Sequence, residues 1–410
     1  MKRALLSQMA HEWKTNIWFV IELAIVTLAI WTLMTYLWST CKGVLDPRGF
    51  NPEDVYSIDI RSVAKASPYF LPEYEENFFE DRNELIRRLK ENPNVEYVSL
   101  HYNFLPYDLS WIGNSIRIEG SDSIMYSGNF RYAQPEIIKL LDIKSVTGKS
   151  QDELTAMLER GEIFISPDKD FEEKNGPIEK FVGKTAYTYA AGQYDYPVKI
   201  GDIVYSVKRE DFDKAPASVI LPYSFEEDER WRRIILKVKP DRGKAFEEDF
   251  YSDYDLTHLR NTYFTGLKSL VKMGENQNVK KYIQVRFLTG ISAFFLLTIF
   301  LGLLGSFWFR VQQRVSEIAI RKTFGATDKE IFRRIIGEGL LLLLGGVLLI
   351  SACVWPFIKK ITESINEEWY TILAIEGVTS ALIAIGIILS LWYPAWRAMR
   401  IEPAIAVKEE

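Results

Sequence analysis

At 410 residues the chain is too long for one hydrophobic core, which stops growing near about 250–300 residues, so several structural regions are expected. A net charge of −5 provides no basic field for a polyanion and excludes nucleic-acid binding as the main role. Cys41 and Cys353 are too few for a disulfide framework or a thiolate metal centre. His11, His101 and His258 stand apart without ligand spacing, so zinc is not suggested and they read as surface or packing residues.

In chain order, Lys2 to Lys14 puts Leu5, Leu6 and Met9 near one helical face, as in a helix lying along the inner membrane surface, residues 1–16. Crossing about 30 Å of hydrocarbon takes about 20 apolar residues in a helix. Four runs qualify, at 17–38, 282–309 with its apolar core from Phe287, 339–358, and 370–393. Trp18, Trp38, Trp308, Trp355, Trp369 and Trp392 sit near their ends, at headgroup depth. The first run exceeds the about 7–15 residues of a signal-peptide core and no A-x-A site follows it, so it is expected to remain as an anchor.

Orientation follows from Lys and Arg in the short segments, which resist translocation. Lys2, Arg3 and Lys14 precede the first run; Arg310, Arg314, Arg321, Lys322, Lys329, Arg333 and Arg334 lie between the second and third; Arg397, Arg400 and Lys408 end the chain. These segments are expected in the cytoplasm, with both termini inside a multi-pass protein of the inner membrane. Lys359 and Lys360 in the short outer hairpin, 359–369, are accompanied by Glu363, Glu367 and Glu368.

Residues 39–281 then lie outside. Alternating runs from Val55, Val95, Ser115, Glu162 and Ile234 read as strands. Residues 77–92 read as a helix stopped by Pro93 and leading into a strand; 134–141, 152–160 and 241–273 are further helical candidates. The expected fold class is therefore a membrane protein with four transmembrane α-helices and a large α+β extracytoplasmic domain between the first two.

Gly148-Lys149-Ser150 and Gly183-Lys184-Thr185 imitate the end of a phosphate loop, but Ile143 and Ile178 stand where its first glycine is needed. No catalytic site is visible in the sequence. The informative stretch is 310–338, which reads as two helices. Val311, Val315, Ile318 and Ala319 make an apolar stripe on the first, leaving Glu317, Arg321 and Lys322 for other faces. Gly325 suits a left-handed stop, and Thr327 with Glu330 spells a capping box for the second helix. Such a charged elbow is either a solvated loop or a surface on which a cytoplasmic partner pushes.

The segment Glu317 to Ile331, with Arg314 before it, resembles the signature of FtsX-like permeases of the MacB type. The closing run from Tyr393, in tail 394–410, is similar to the family's C-terminal motif, with Val407 at the usual leucine position. Segments from Ile137, Ile163 and Ser218 resemble the MacB-like periplasmic core in order, more loosely. The fused ATPase of some relatives is expected to be absent.

The resemblance implies a four-span permease subunit, paired with itself or a similar permease, on which a separate cytoplasmic ABC ATPase dimer docks. ATP and Mg²⁺ belong to that ATPase; no cofactor is bound directly. A periplasmic adaptor and membrane lipids are further implied partners. The ATPase-coupling residues it implies are Glu317, Arg321, Lys322, Gly325, Ala326 and Thr327. The implied activity is ATP-driven motion passed to the outer domain for export or extrusion; the alternative is activation of a wall hydrolase or sensor without cargo. Glu22 and Glu376 lie within spans in opposite leaflets, and snorkelling or a dimer contact is expected rather than a proton relay. Gly302, Gly305, Gly345 and Gly346 are expected to allow close helix packing.

Overall fold

The computed structural model describes residues 13–108, 110–120, 124–190, 193–222, 233–365 and 368–400. The expected N-terminal surface helix and the last ten residues of the closing motif lie almost wholly outside these. The chain forms two compact units, Lys42–Lys281 and the helices that precede and follow it in sequence.

Helix α1 (Trp13–Cys41) is followed by the α+β unit. Its elements in order are β1 (Val55–Ser62), α2 (Phe78–Glu91), β2 (Val95–Tyr102), β3 (Gly113–Ile118), β4 (Met125–Ala133), α3 (Ile137–Leu140), α4 (Gln151–Glu159), β5 (Ile163–Ile165) and α5 (Lys169–Asn175). There follow β6 (Thr185–Ala190), β7 (Gln193–Ile203), β8 (Ser218–Pro222), β9 (Arg233–Val238), α6 (Gly243–Ser252), α7 (Tyr254–Thr257), β10 (His258–Leu259) and β11 (Thr262–Ser269).

The strands run in the order β10-β11-β1-β9-β2-β4-β3-β6-β7-β5-β8, and β8 also pairs in parallel with β4. That second pairing closes the last six strands into a ring, leaving none of them with a free edge. Its interior is filled by residues including Ile116, Tyr126, Phe130, Ile165, Phe181 and Ile200. In the open part, β1 and β2 both pair antiparallel with β9 and are therefore parallel, with α2 as their crossover. Leu85, Ile86 and Leu89 of α2 and Phe246 and Phe250 of α6 share the core of this part.

The expected strands at Val55, Val95, Ser115, Glu162 and Ile234 correspond to β1, β2, β3, β5 and β9. The single helix expected over 241–273 is not formed. Two short helices occupy its first part, and β10 and β11 form a hairpin turned at Arg260, whose φ is +52°. Residues 262–269 alternate in burial and pair with β1 from Ser62↔Thr262 to Tyr56↔Ser269. The tertiary partner thus overrides local helix preference.

The second unit contains α1, α8 (Leu270–Gln313), α9 (Val315–Thr323), α10 (Asp328–Val354), α11 (Ile358–Ile365) and α12 (Trp369–Met399), with α8 beginning before the unit boundary. Among the described residues, four helices are long and apolar enough to cross a membrane. The 44 residues of α8 extend about 66 Å at about 1.5 Å per residue, roughly twice the hydrocarbon thickness. All four helices meet in one cluster, with Leu23 and Ile30, Leu303 and Phe307, Leu342 and Leu343, and Ile383, Ile387 and Leu391.

Three details differ from expectation. The hairpin at 359–369 is largely helix α11, entered through a 3₁₀ turn at Trp355–Phe357. Helix α12 continues past Pro394 to Met399, so the tail begins as helix. Gly346 admits close packing, since an added Cβ would lie 3.1 Å from Ala24 N, whereas among the described residues nothing approaches Gly302 or Gly305 within 4 Å.

Candidate functional site

Between α8 and α10 the chain makes a stiff elbow. Helix α8 ends at Gln313, Arg314 breaks the helical run, and α9 begins at Val315. A Schellman pair then closes α9: Gly325 N–H donates to Lys322 O and Ala326 N–H to Arg321 O, both at 3.0 Å. Gly325 has a φ of +92°, a conformation glycine adopts without Cβ crowding.

Two residues later the capping box forms. Glu330 N–H donates to Thr327 Oγ1 at 3.4 Å, and Thr327 N–H to Glu330 Oε2 at 2.9 Å. These bonds satisfy the carbonyls of Arg321 and Lys322 at the end of α9 and the N–H of Glu330 in the first turn of α10. Beneath it, Val311, Ile318, Ile331 and Ala398 form a small core with Ala326 and Ile335 packed against it.

Ion pairs brace the same turn. Arg321 Nη2 lies 2.5 Å from Glu317 Oε1, one helical turn away. Lys322 Nζ reaches Asp328 Oδ1 across the bend at 2.9 Å and also donates to the carbonyl of Met399 at the end of α12. Arg314 pairs with Glu338 of α10 at 2.9 Å.

The six residues named from sequence thus lie together, but with different tasks. Lys322, Gly325, Ala326 and Thr327 build the bend, while Glu317 and Arg321 lie half-exposed as a pair. What projects outward is Phe324, 88% exposed, with Ile320 one turn before it. Phe324 borders an open cleft of about 530 Å³ lined also by Arg321, Gly325, Ala326, Glu330, Ile331 and Arg334. Sequence reasoning missed Phe324. Its available signal was an aromatic residue immediately before a helix-terminating glycine, where the side chain has no neighbouring turn to cover it.

The phosphate-loop imitations have structural roles. Ser150 caps α4 in a box with Glu153, and Lys149 binds Asp202 at 3.2 Å and the carbonyl of Gly201 at 2.9 Å. Gly183 is a turn, and the Lys184 ammonium sits 5.1 Å from the Phe181 ring centroid. His258 stacks between Tyr254 and Tyr263, at 4.2 and 5.6 Å, a packing role. Glu376 accepts a hydrogen bond from Ser351 Oγ at 2.5 Å, joining α12 to α10 within the chain, and Glu22 is exposed.

Residues 289–403, which contain the elbow, match the family of FtsX-like permease C-terminal domains. The chain is similar to the macrolide export ATP-binding/permease protein MacB of Syntrophobacter fumaroxidans, 25% identical over 173 residues. That alignment covers 41% of this chain and 22% of the relative. The MacB of Pasteurella multocida is 25% identical over 253 residues, 59% of this chain and 37% of the relative. The aligned segments thus span well under half of these relatives' lengths.

Solved structures with partial likeness include the periplasmic region of MacB from Actinobacillus actinomycetemcomitans, with TM-score 0.32 and 10% identity, covering 58% of this chain and 97% of that one. A domain of a putative permease from Porphyromonas gingivalis has TM-score 0.31 and 14% identity, covering 54% and 92%.

Proposed function

We propose, from the premise that this chain is a MacB/FtsX-like permease, that it passes the motion of a separate cytoplasmic ABC ATPase to its α+β unit for export or extrusion. The observation that carries this reading is the elbow: a doubly capped, ion-paired bend that ends in an exposed Phe324. A flexible loop would absorb a push, whereas this bend is tied to α8, α10 and α12 through Val311, Ile331 and Ala398. The Lys and Arg excess in the same segment supports its cytoplasmic placement and that of both termini. The α+β unit, entered and left through apolar helices, then lies on the other side.

In this reading Phe324 is the apolar knob seated in the ATPase, with Ile320 beside it and Glu317 and Arg321 forming a polar rim. ATP and Mg²⁺ are held by the ATPase. Two permease subunits, identical or similar, accompany its two nucleotide-binding subunits, and an adaptor outside receives the motion.

The test is affinity capture of the full chain in mild detergent, followed by identification of what it retains. An ABC ATPase is expected with the native chain and lost with Phe324→Asp, while both chains insert and unfold at similar temperatures. Equal retention of the ATPase by both would refute the docking role of Phe324; absence of any ATPase would refute the reading.

A further inference from the structure

The α+β unit is joined to apolar helices at two places in the chain, after α1 and at the start of α8. Within that unit a single segment, residues 206–213, grips both. On the α1 side, Lys208 is buried and its ammonium donates to the carbonyls of Gly43 and Asp46, the latter at 2.8 Å. Lys208 N–H also donates to Arg48 O at 3.0 Å. Gly43 lies so close to this segment that a Cβ there would sit 1.9 Å from Phe212 O.

On the α8 side, the same segment holds the first turns of the long helix. Asp211 accepts from Asn278 Nδ2 at 3.0 Å, and its own N–H donates to Asn278 Oδ1 at 3.3 Å. Glu210 accepts from Gln277 Nε2 at 2.8 Å.

Asp211 also joins the two sides directly. Its carboxylate receives Arg48 through Nε and Nη2, each at 3.0 Å, and the Tyr107 hydroxyl at 2.9 Å. Tyr107 is held at a φ of +61°, a left-handed conformation costly for a bulky residue, and its ring lies 2.6 Å from where a Cβ of Gly274 would be. Asp211 and Asn278 are 7% and 1% exposed, so the bonds between them are sheltered from water, while the Arg48 side chain that joins them is about half exposed.

We propose that residues 206–213 form a yoke, with Asp211 as its positioning residue, that makes the two chain crossings of the α+β unit move as one body. The idea rests on the transmission reading above. A carboxylate shared by Arg48, Tyr107 and Asn278 cannot follow a relative displacement of the two sides without breaking charge-assisted bonds. A stroke carried by α8 then displaces the whole unit instead of being lost in a local adjustment at its base.

The test uses the full chain with its co-purified ATPase in lipid nanodiscs, with amide hydrogen exchange across residues 42–281 compared in MgATP and MgADP. The native complex is expected to show a nucleotide-dependent difference there. With Asp211→Ala the ATPase remains bound and hydrolyses ATP, but the difference falls by about fivefold or more. Tyr56→Phe, which removes a bond to Glu247 far along the chain from the yoke, keeps the native difference and controls for simple destabilisation.

A native-sized difference in Asp211→Ala, or an equal loss in Tyr56→Phe, overturns the yoke. If Asp211→Ala does not insert, Asn278→Ala, which cuts only the α8 side, is judged by the same criterion. A native complex without any nucleotide-dependent difference overturns the transmission reading itself, and the yoke with it.

Discussion

Arg314, at the break after α8, and Glu338, on α10, form an ion pair 2.9 Å long in which the side chains are only 22% and 14% exposed. The pair spans the elbow from its entry to the helix that leaves it, so the bend cannot open without parting it. Removing one member leaves a largely buried charge without this partner, whereas exchanging both preserves the attraction. Arg314→Met is expected to lower stability by about 2 kcal/mol, the scale of a lost hydrogen bond to a charged group. Combining Arg314→Glu with Glu338→Arg should recover most of what either change alone loses. Thermal unfolding of the native chain, the three single variants and the double variant checks this, and an additive double variant would show that the pair contributes little.

Gly325 separates shape from space. Among the described residues nothing lies within 4 Å of a Cβ built there, so an alanine meets no clash with them and only the backbone resists. Gly325→Ala should therefore cost about 1–2 kcal/mol, the left-handed penalty, and leave ATPase binding measurable. Gly325→Pro cannot reach φ +92° and removes the N–H that bonds Lys322 O, so the bend must re-form elsewhere. Inserted protein that has lost ATP-dependent function is the expected outcome for the proline variant, measured beside the alanine variant. Normal function in the proline variant would mean that the bend's geometry is irrelevant.

The elbow was legible in the sequence because its determinants are local. Gly325, Thr327 and Glu330 act over a few residues, and the Schellman and capping bonds form within that window. The apolar runs were legible for a similar reason, since hydrocarbon thickness demands length and composition in one continuous stretch. The ring of strands was not. Its closing contact pairs Phe130 with Val219, and no local pattern identifies a partner so distant in sequence. Residues 262–269 were hidden in the same way, because their pairing with β1 outweighs local preference. The roles of Lys322 and Phe324 depend on where α12 ends and on what fails to cover the turn, neither of which a spacing rule contains.

His101 predicts a pH dependence. It is buried on β2, neither ring nitrogen is hydrogen-bonded among the described residues, and burial, reinforced by Arg233 and Arg131, pushes its pKa down to about 3. The unfolded chain binds this proton near pH 6.5 while the folded chain does not, so this contribution to stability falls as pH drops below about 6.5 and continues falling toward about 3. Between pH 6.5 and 5 the loss approaches about 2 kcal/mol. His101→Leu has no such proton to bind, so the gap between native and variant unfolding temperatures should shift in the variant's favour on acidification. Parallel pH profiles would contradict a neutral, buried His101.

The proposed transmission requires the elbow and the α+β unit to lie on opposite sides of the membrane. With Cys41 and Cys353 replaced by serine, single cysteines at Tyr254, 68% exposed in the α+β unit, and at Lys329, exposed in the elbow, can be probed with a membrane-impermeant maleimide. In intact spheroplasts the Tyr254→Cys chain should label at once and the Lys329→Cys chain only after the membrane is opened. Labelling of both from the same side would contradict the proposed architecture and the transmission built on it.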